Sequence, residues 1–293
     1  MPTKRISDLF NKRYFEIPKY QRGYSWDREN VRELFEDLRE AIESSSSHYM
    51  GTVVLSEGTP KGEHYFVVDG QQRLATILLL ISEITRRLPN SDSEYNRRFY
   101  IKEEGKYRLK LLGRGKQYFE NLLEGKVLEP ENKSQRLLKN AYEEIASELN
   151  RFNFNDMRTL LQAIERLETM EFIEESEGDA IRIFQTVNDR GKPLTNMEKA
   201  KSLLVYYSNR YLSKKFDGSI NDAFGEIFEL YDDIKQIADD EYIRLIRSEH
   251  FDEDDIMRYH FVSFSDENYD ATAPYVLSYL KRNLSEFRSR DRL

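Results

Sequence analysis

Tyr65-Phe66-Val67-Val68-Asp69-Gly70-Gln71-Gln72-Arg73-Leu74 is the stretch on which the reading of this chain turns. Four strand-like residues end on Asp-Gly, and an apolar run from Leu74 to Leu88 follows at helical spacing. A strand, a glycine turn and a helix start together present free backbone N–H groups, the arrangement that receives an anion. Gly70 lets the backbone approach a ligand closely, and Arg73 supplies a planar fork suited to phosphate. A nucleotide phosphate is therefore the first ligand to consider, with Asp69 either holding an accompanying metal ion or orienting Arg73. An ordinary strand-to-helix connection uses the same Asp-Gly, so both readings stand on these residues alone.

Upstream, Ile6 to Phe10 predicts a short helical turn and Tyr14 to Ile17 a brief strand ending at Pro18. Asp27 is the expected N-cap of a helix carrying Val31, Leu34, Phe35, Leu38 and Ile42 on one face. Tyr49 to Leu55 and His64 to Val68 read as two strands joined by a turn-rich segment. The apolar positions from Leu74 to Leu88 cover so much of their helix that it should be largely buried. Pro89-Asn90-Ser91-Asp92-Ser93 marks the expected boundary. Beyond it helical periodicity dominates, over 117–123, 134–150, 157–167, 178–188 and 196–211, with a short strand at Met170 to Ile173. The expected class is α+β: a small mixed core over 1–90, then a mainly helical domain over 91–293.

The 293 residues suffice for a sizeable core, and 39% hydrophobic, 33% charged and 13% aromatic residues describe a globular chain. A net charge of -8 argues against a surface coated for nonspecific nucleic-acid binding, although a local basic groove is compatible with it. With no cysteine, thiol catalysis, disulfides and cysteine-ligated zinc are excluded. The four histidines are scattered, without ligand spacing. No apolar run reaches membrane-spanning length and no signal-peptide core opens the chain, so a cytoplasmic location without membrane contact is expected.

Three further constellations carry chemistry. Tyr20-Gln21-Arg22-Gly23-Tyr24 with Trp26 sets an arginine among aromatics, suited to stacking on a base or to capping the core. Phe184 to Thr195 reads as a helix stop at Asn188, a turn through Gly191 and a restart with a Thr195/Glu198 capping box. Asn188 and Arg190 either line a second wall of a nucleotide pocket or serve that turn alone. Arg97 to Lys116 holds eight Lys/Arg against Glu103 and Glu104, which reads equally as a nucleic-acid face or a solvated hairpin with Leu109 and Leu111 turned inward. Asp252-Glu253-Asp254-Asp255 reads as a helix N-terminus.

Ile-Pro-x-Tyr-Gln-Arg-x-Tyr-x-Trp (17–26), Asp-Gly-Gln-Gln-Arg-Leu (69–74) and Phe-x-x-x-Asn-x-Arg-Gly-x-x-Leu (184–194) occur in one order, and together they resemble the N-terminal domain of GmrSD-type restriction endonucleases. The resemblance implies a ParB/sulfiredoxin-like core with a helical extension, in a modification-dependent antiphage restriction system. It implies nucleoside triphosphate binding and hydrolysis with a divalent metal, Mg2+ being the expected ion. Asp69, Gln72 and Arg73 are then catalytic, with Asp69 the metal ligand, and Gly70, Gln71, Asn188, Arg190 and Gly191 bind nucleotide. It links Tyr20, Gln21 and Arg22, with Tyr24 and Trp26, to DNA, modified DNA included. Relatives often carry two threonines after Arg-Leu; here Ala75 and Thr76 stand there. Relatives also carry a His-containing nuclease domain, whereas no HNH-type signature follows Thr195, so a separate or missing nuclease is expected and cleavage by this chain alone is not. The alternative function is a non-catalytic sensor of DNA, and a homo-oligomer is left open.

Overall fold

A computed structural model of the chain describes residues 3–44, 48–58, 63–175, 180, 194–247, 251–265 and 271–290. The chain divides into two compact units, Met1–Ala180 and Ile181–Leu293.

The first unit is built on a six-stranded mixed sheet. Its strands are β1 (Thr3–Arg5), β2 (Tyr14–Ile17), β3 (Tyr49–Glu57), β4 (His64–Asp69), β7 (Leu109–Leu111) and β8 (Glu168–Glu174), in the order β1-β8-β3-β4-β2-β7. β3 and β4 form the expected antiparallel pair, while β2 runs parallel to both β4 and β7, and β8 parallel to β3. Alternation sorts the faces. Phe15, Ile17, Tyr65, Val67, Leu109 and Leu111 are buried, whereas Tyr14, Glu16, Phe66 and Lys110 are only partly covered.

Against the buried face lies α3 (Gln71–Arg87), with every residue from Leu74 to Thr85 buried. A helix apolar on all sides belongs inside a domain, and α3 packs on α5 (Gly115–Leu123), α6 (Lys133–Leu149) and α7 (Phe154–Arg166). Its buried carboxylate is satisfied: Glu83 accepts from Arg87 Nε and from the Tyr142 hydroxyl, both at 2.8 Å, and pairs with Arg86. α1 (Ile6–Phe10) and α2 (Arg28–Glu43) complete the layer, and Asp27 caps α2 in a reciprocal box with Asn30.

Arg28, Arg32 and Arg39 of α2 meet Glu143, Glu144 and Glu148 of α6 at 2.6 to 3.2 Å. The Arg32 hydrogen bond, against the opposing effect of desolvation, holds the buried Glu144 carboxyl below its ordinary range. A depressed folded-state pKa stabilises fully above the ordinary carboxylate value and is lost as pH falls through the lowered one. Glu144→Gln is therefore expected to lower the urea midpoint at about pH 6 and to have a much smaller effect at about pH 3. Equal losses at both pH values would refute this role.

After α4 (Asn90–Asn96), the stretch rich in Lys and Arg resolves into several pieces: a π-helical turn (Arg97–Ile101), a hairpin of β5 (Lys102–Glu103) and β6 (Lys106–Tyr107), β7 and the start of α5. The hairpin turns through Glu104 and Gly105, both at positive φ, as a two-residue loop of this kind requires. Pro89 to Ser93, the boundary expected from sequence, lies within the first unit, because β7 and β8 enter the same sheet as β2 to β4. The division between compact units follows Ala180 instead.

The described part of the second unit is helical: α8 (Asn196–Tyr211), α9 (Asp217–Asp240), α10 (Arg244–Arg247), α11 (Glu253–Phe264) and α12 (Ala273–Arg290). The Thr195/Glu198 box caps α8 as the sequence predicts, and at the expected helix N-terminus Asp252 caps α11 in a box with Asp255. The architecture is thus α+β with a helical C-terminal region. Among the described residues, no helix is long and apolar enough to cross a membrane.

Candidate functional site

β4 is flanked by β3 and β2 and ends on Asp69, opposite Val54. Gly70 then turns the chain with φ +90° and starts α3. A Cβ at Gly70 would stand 3.0 Å from Val53 Cγ2 and 3.3 Å from the Thr52 carbonyl, so both conformation and space call for glycine. The helices α2, α6, α7, α8 and α11 each have a capping side chain; α3, like α1, α4, α5 and α9, has none, and no acidic residue stands in its first turn. The first-turn N–H groups and the positive end of the α3 dipole are left for an external anion or water.

Arg73 is the fourth residue past the strand, so its side chain lies back along the turn toward β3. Its Nη1 donates to the carbonyls of Met50 (2.7 Å) and Thr52 (3.2 Å). Between them, Gly51 adopts φ +102°, and a Cβ there would fall 2.1 Å from Nη1. The guanidinium occupies the space a side chain would take. Thr169 of β8 donates to the Gly51 carbonyl at 2.8 Å. Three successive carbonyls, at the place where the β3–β8 register shifts between Tyr49 and Thr52, are thus met by side chains. Both Arg73 bonds use Nη1, which leaves the Nε–Nη2 edge for a ligand.

Gln72 ties the turn to the aromatic loop. Its Oε1 accepts from Ser25 N at 3.0 Å and its Nε2 donates to the Gly23 carbonyl at 3.2 Å. One turn further along α3, the Thr76 hydroxyl donates to the Gln72 carbonyl (2.8 Å) and accepts from the Tyr24 hydroxyl (2.7 Å). Burial pushes the Tyr24 hydroxyl well above the usual tyrosine range, so it stays protonated as a donor. Two segments far apart in sequence are joined here. Thr76, the one threonine this chain keeps after Arg-Leu, is the residue that bonds, while its neighbour Ala75 packs in the core.

Tyr24 belongs to the core and is 5% exposed, so its side chain serves the fold. Trp26 packs half-buried against the same core. Tyr20, Gln21 and Arg22 are partly exposed on the loop that Gln72 holds. Gln71 is buried, and its Oε1 has no protein hydrogen-bond partner; the same holds for Ser25 Oγ. Asp69 is partly exposed at the strand end, and among the described residues no three His, Asp or Glu side chains gather as a metal-binding group. Asn188, Arg190 and Gly191, with all but Ala180 of the helix expected over 178–188, lie outside the described residues.

The basic stretch is largely paired within the fold. Arg97 and Lys102 meet Glu124, Arg98 and Arg108 meet Glu103, and Lys110 approaches Glu16 at 3.9 Å. Arg108 is buried over the Tyr14 ring, and Tyr100 and Tyr107 face the core. Leu109 and Leu111 face inward, as the hairpin reading expects, but from β7 of the main sheet and not from the β5–β6 hairpin.

The model of the GmrSD restriction endonuclease N-terminal domain matches residues 6–205 of this chain. The chain belongs to that family. Among curated proteins no relative matches it. As a GmrSD N-terminal domain it is a component of a modification-dependent restriction system. The match includes both segments that Gln72 joins and continues into α8.

Proposed function

We propose that this GmrSD N-terminal domain binds a nucleoside triphosphate with magnesium at the Asp69–Arg73 turn, hydrolyses it, and uses nucleotide state to gate a nuclease domain or subunit. The observation that carries the reading is the uncapped N-terminus of α3 behind a left-handed glycine that β3 crowds from below. The N–H groups of Gln71 and Gln72 hold phosphate oxygens, and the free Nε–Nη2 edge of Arg73 neutralises charge that grows during phosphoryl transfer.

The buried Gln71 amide lacks a protein partner for its oxygen. A half-turn of the amide exchanges O and NH2, so this group can meet either a ligand hydroxyl or a phosphate oxygen. Magnesium needs few protein ligands when phosphates supply the rest, and the single carboxylate of Asp69 suits an ion that arrives with the nucleotide. Asn188, Arg190 and Gly191 are proposed as further nucleotide-binding residues.

Gln72 takes a different role from the catalytic one that the resemblance implies. Both ends of its amide hold the 23–25 backbone, which makes it a positioning residue between the turn and the loop of Tyr20, Gln21 and Arg22. That loop is where modified DNA is proposed to act on nucleotide turnover. The non-catalytic DNA sensor keeps the same loop but gives up Tyr24 and most of the basic stretch.

The test is a titration of each nucleoside triphosphate with magnesium against the full chain, scored for binding and for phosphate release, with and without modified DNA. Saturable binding with turnover is expected. DNA binding that falls steeply with salt, in the absence of any nucleotide binding, would replace this reading by the sensor.

A further inference from the structure

Most of the large apolar side chains that are exposed among the described residues lie in the second unit, and α9 sets three of them, Leu230, Ile234 and Ile237, in a line. Ile220, Ala223, Ile227, Leu230, Ile234 and Ile237 recur at alternating steps of three and four residues, a 3.5-residue repeat with Ile at every second position. Leu230, Ile234 and Ile237 are 50%, 36% and 55% exposed. This line is not the face that builds the unit. Phe228, Tyr231, Lys235 and Ala238 are buried on the neighbouring face, where Lys235 Nζ donates to the Ile246 carbonyl at 2.7 Å and the Tyr231 hydroxyl to the Phe251 carbonyl at 3.3 Å.

A repeat of 3.5 residues, rather than a diffuse apolar patch, is what a second helix packs against, knob into hole. Charge selects its kind. Between Asp217 and Asp240 the sequence carries eight acidic residues and one lysine, and that lysine, Lys235, is buried. Glu226, Asp233 and Asp240 fall seven residues apart, directly before the apolar line, and form an acidic row along one edge. Two copies of α9 would bring like charge together, and an anionic lipid surface would be repelled. From these observations we infer that α9 is a docking helix for a basic amphipathic α-helix of another protein or domain, apolar at its own 3.5-residue repeat and bearing Lys or Arg opposite the acidic row. The inference stands independently of the nucleotide site.

The probe is a synthetic peptide of about three heptads with Ile and Leu at the core positions and Lys at the flanks, titrated against the full chain by fluorescence anisotropy. A control peptide has the same core and Glu flanks. Expected are saturable binding of the basic peptide, about tenfold or more weaker binding of the acidic one, and loss of about tenfold or more in Leu230→Glu/Ile237→Glu. Those two positions are exposed, so the variant should keep the thermal melt of the parent; Leu230→Gln/Ile237→Gln replaces it if the melt falls. Glu226→Lys/Asp240→Lys should reverse the preference between the peptides. The inference is overturned if the basic peptide fails to bind, if it binds the apolar-face variant equally, or if both peptides bind alike. It is also overturned if sedimentation shows a dimer that Leu230→Glu/Ile237→Glu dissolves, since the occupant is then a second copy.

Discussion

Gly70→Ala is expected to lower unfolding stability by about 2–4 kcal/mol and nucleotide affinity by about tenfold or more. An alanine at φ +90° carries about 1–2 kcal/mol of left-handed strain by itself. Its Cβ would also stand 3.0 Å from Val53 Cγ2 and 3.3 Å from the Thr52 carbonyl. Neither neighbour yields easily. Val53 is fully buried, and the Thr52 carbonyl is held by Arg73. The strain is therefore relieved by moving the turn, which carries the N–H groups of Gln71 and Gln72 away from the phosphates they are proposed to hold. Urea unfolding and a nucleotide titration on the same variant measure the two effects. Gly70→Asn separates the left-handed strain from the crowding by Val53 and Thr52, because Asn tolerates left-handed backbone while adding the same Cβ. Should Gly70→Ala unfold within about 0.5 kcal/mol of the parent and bind nucleotide normally, the turn is an ordinary connection.

Local signals in this sequence were faithful because local physics writes them. The Asp27 and Thr195 boxes, the buried helix after Gly70 and the strand near Met170 all rest on spacing within a few residues. What spacing does not encode is which distant groups meet. β2 lies between β4 and β7, and β8 joins β3 across more than a hundred residues, so the Pro89 to Ser93 punctuation marks a turn inside the unit. Arg97 to Lys116 looks like a basic face when its charges are counted along the chain, yet Glu124, Glu103 and Glu16 answer several of them in space. At the candidate site the sequence supplied the Asp69–Arg73 turn. The targets of Gln72 and Arg73 were illegible, since both are backbone groups of other segments, and a carbonyl carries no sequence signature. Thr169 and Gly51 give no motif for the same reason.

Arg73 is expected to show the other large effect, and its two jobs separate by substitution. Arg73→Ala removes charge-assisted bonds to the Met50 and Thr52 carbonyls, with an expected loss of about 2–3 kcal/mol in stability. It also removes the charge proposed to face the triphosphate, so turnover should fall by about a hundredfold or more. Arg73→Lys keeps a cation but not a fork. It can serve the carbonyls or the phosphate, not both, and is expected to regain part of the stability with little of the turnover. Gly51→Ala tests the β3 contact from the other side, because the added methyl takes the place of Nη1 and expels the guanidinium. If β3 positions Arg73 for catalysis, Gly51→Ala should lower turnover in the parent and have little further effect on turnover in Arg73→Ala, a strongly non-additive cycle. Additive losses would mean that Gly51 acts through strand geometry alone. Full turnover in Arg73→Ala, with the fold intact, would remove Arg73 from the reaction and leave it as the clasp that holds β3 to α3.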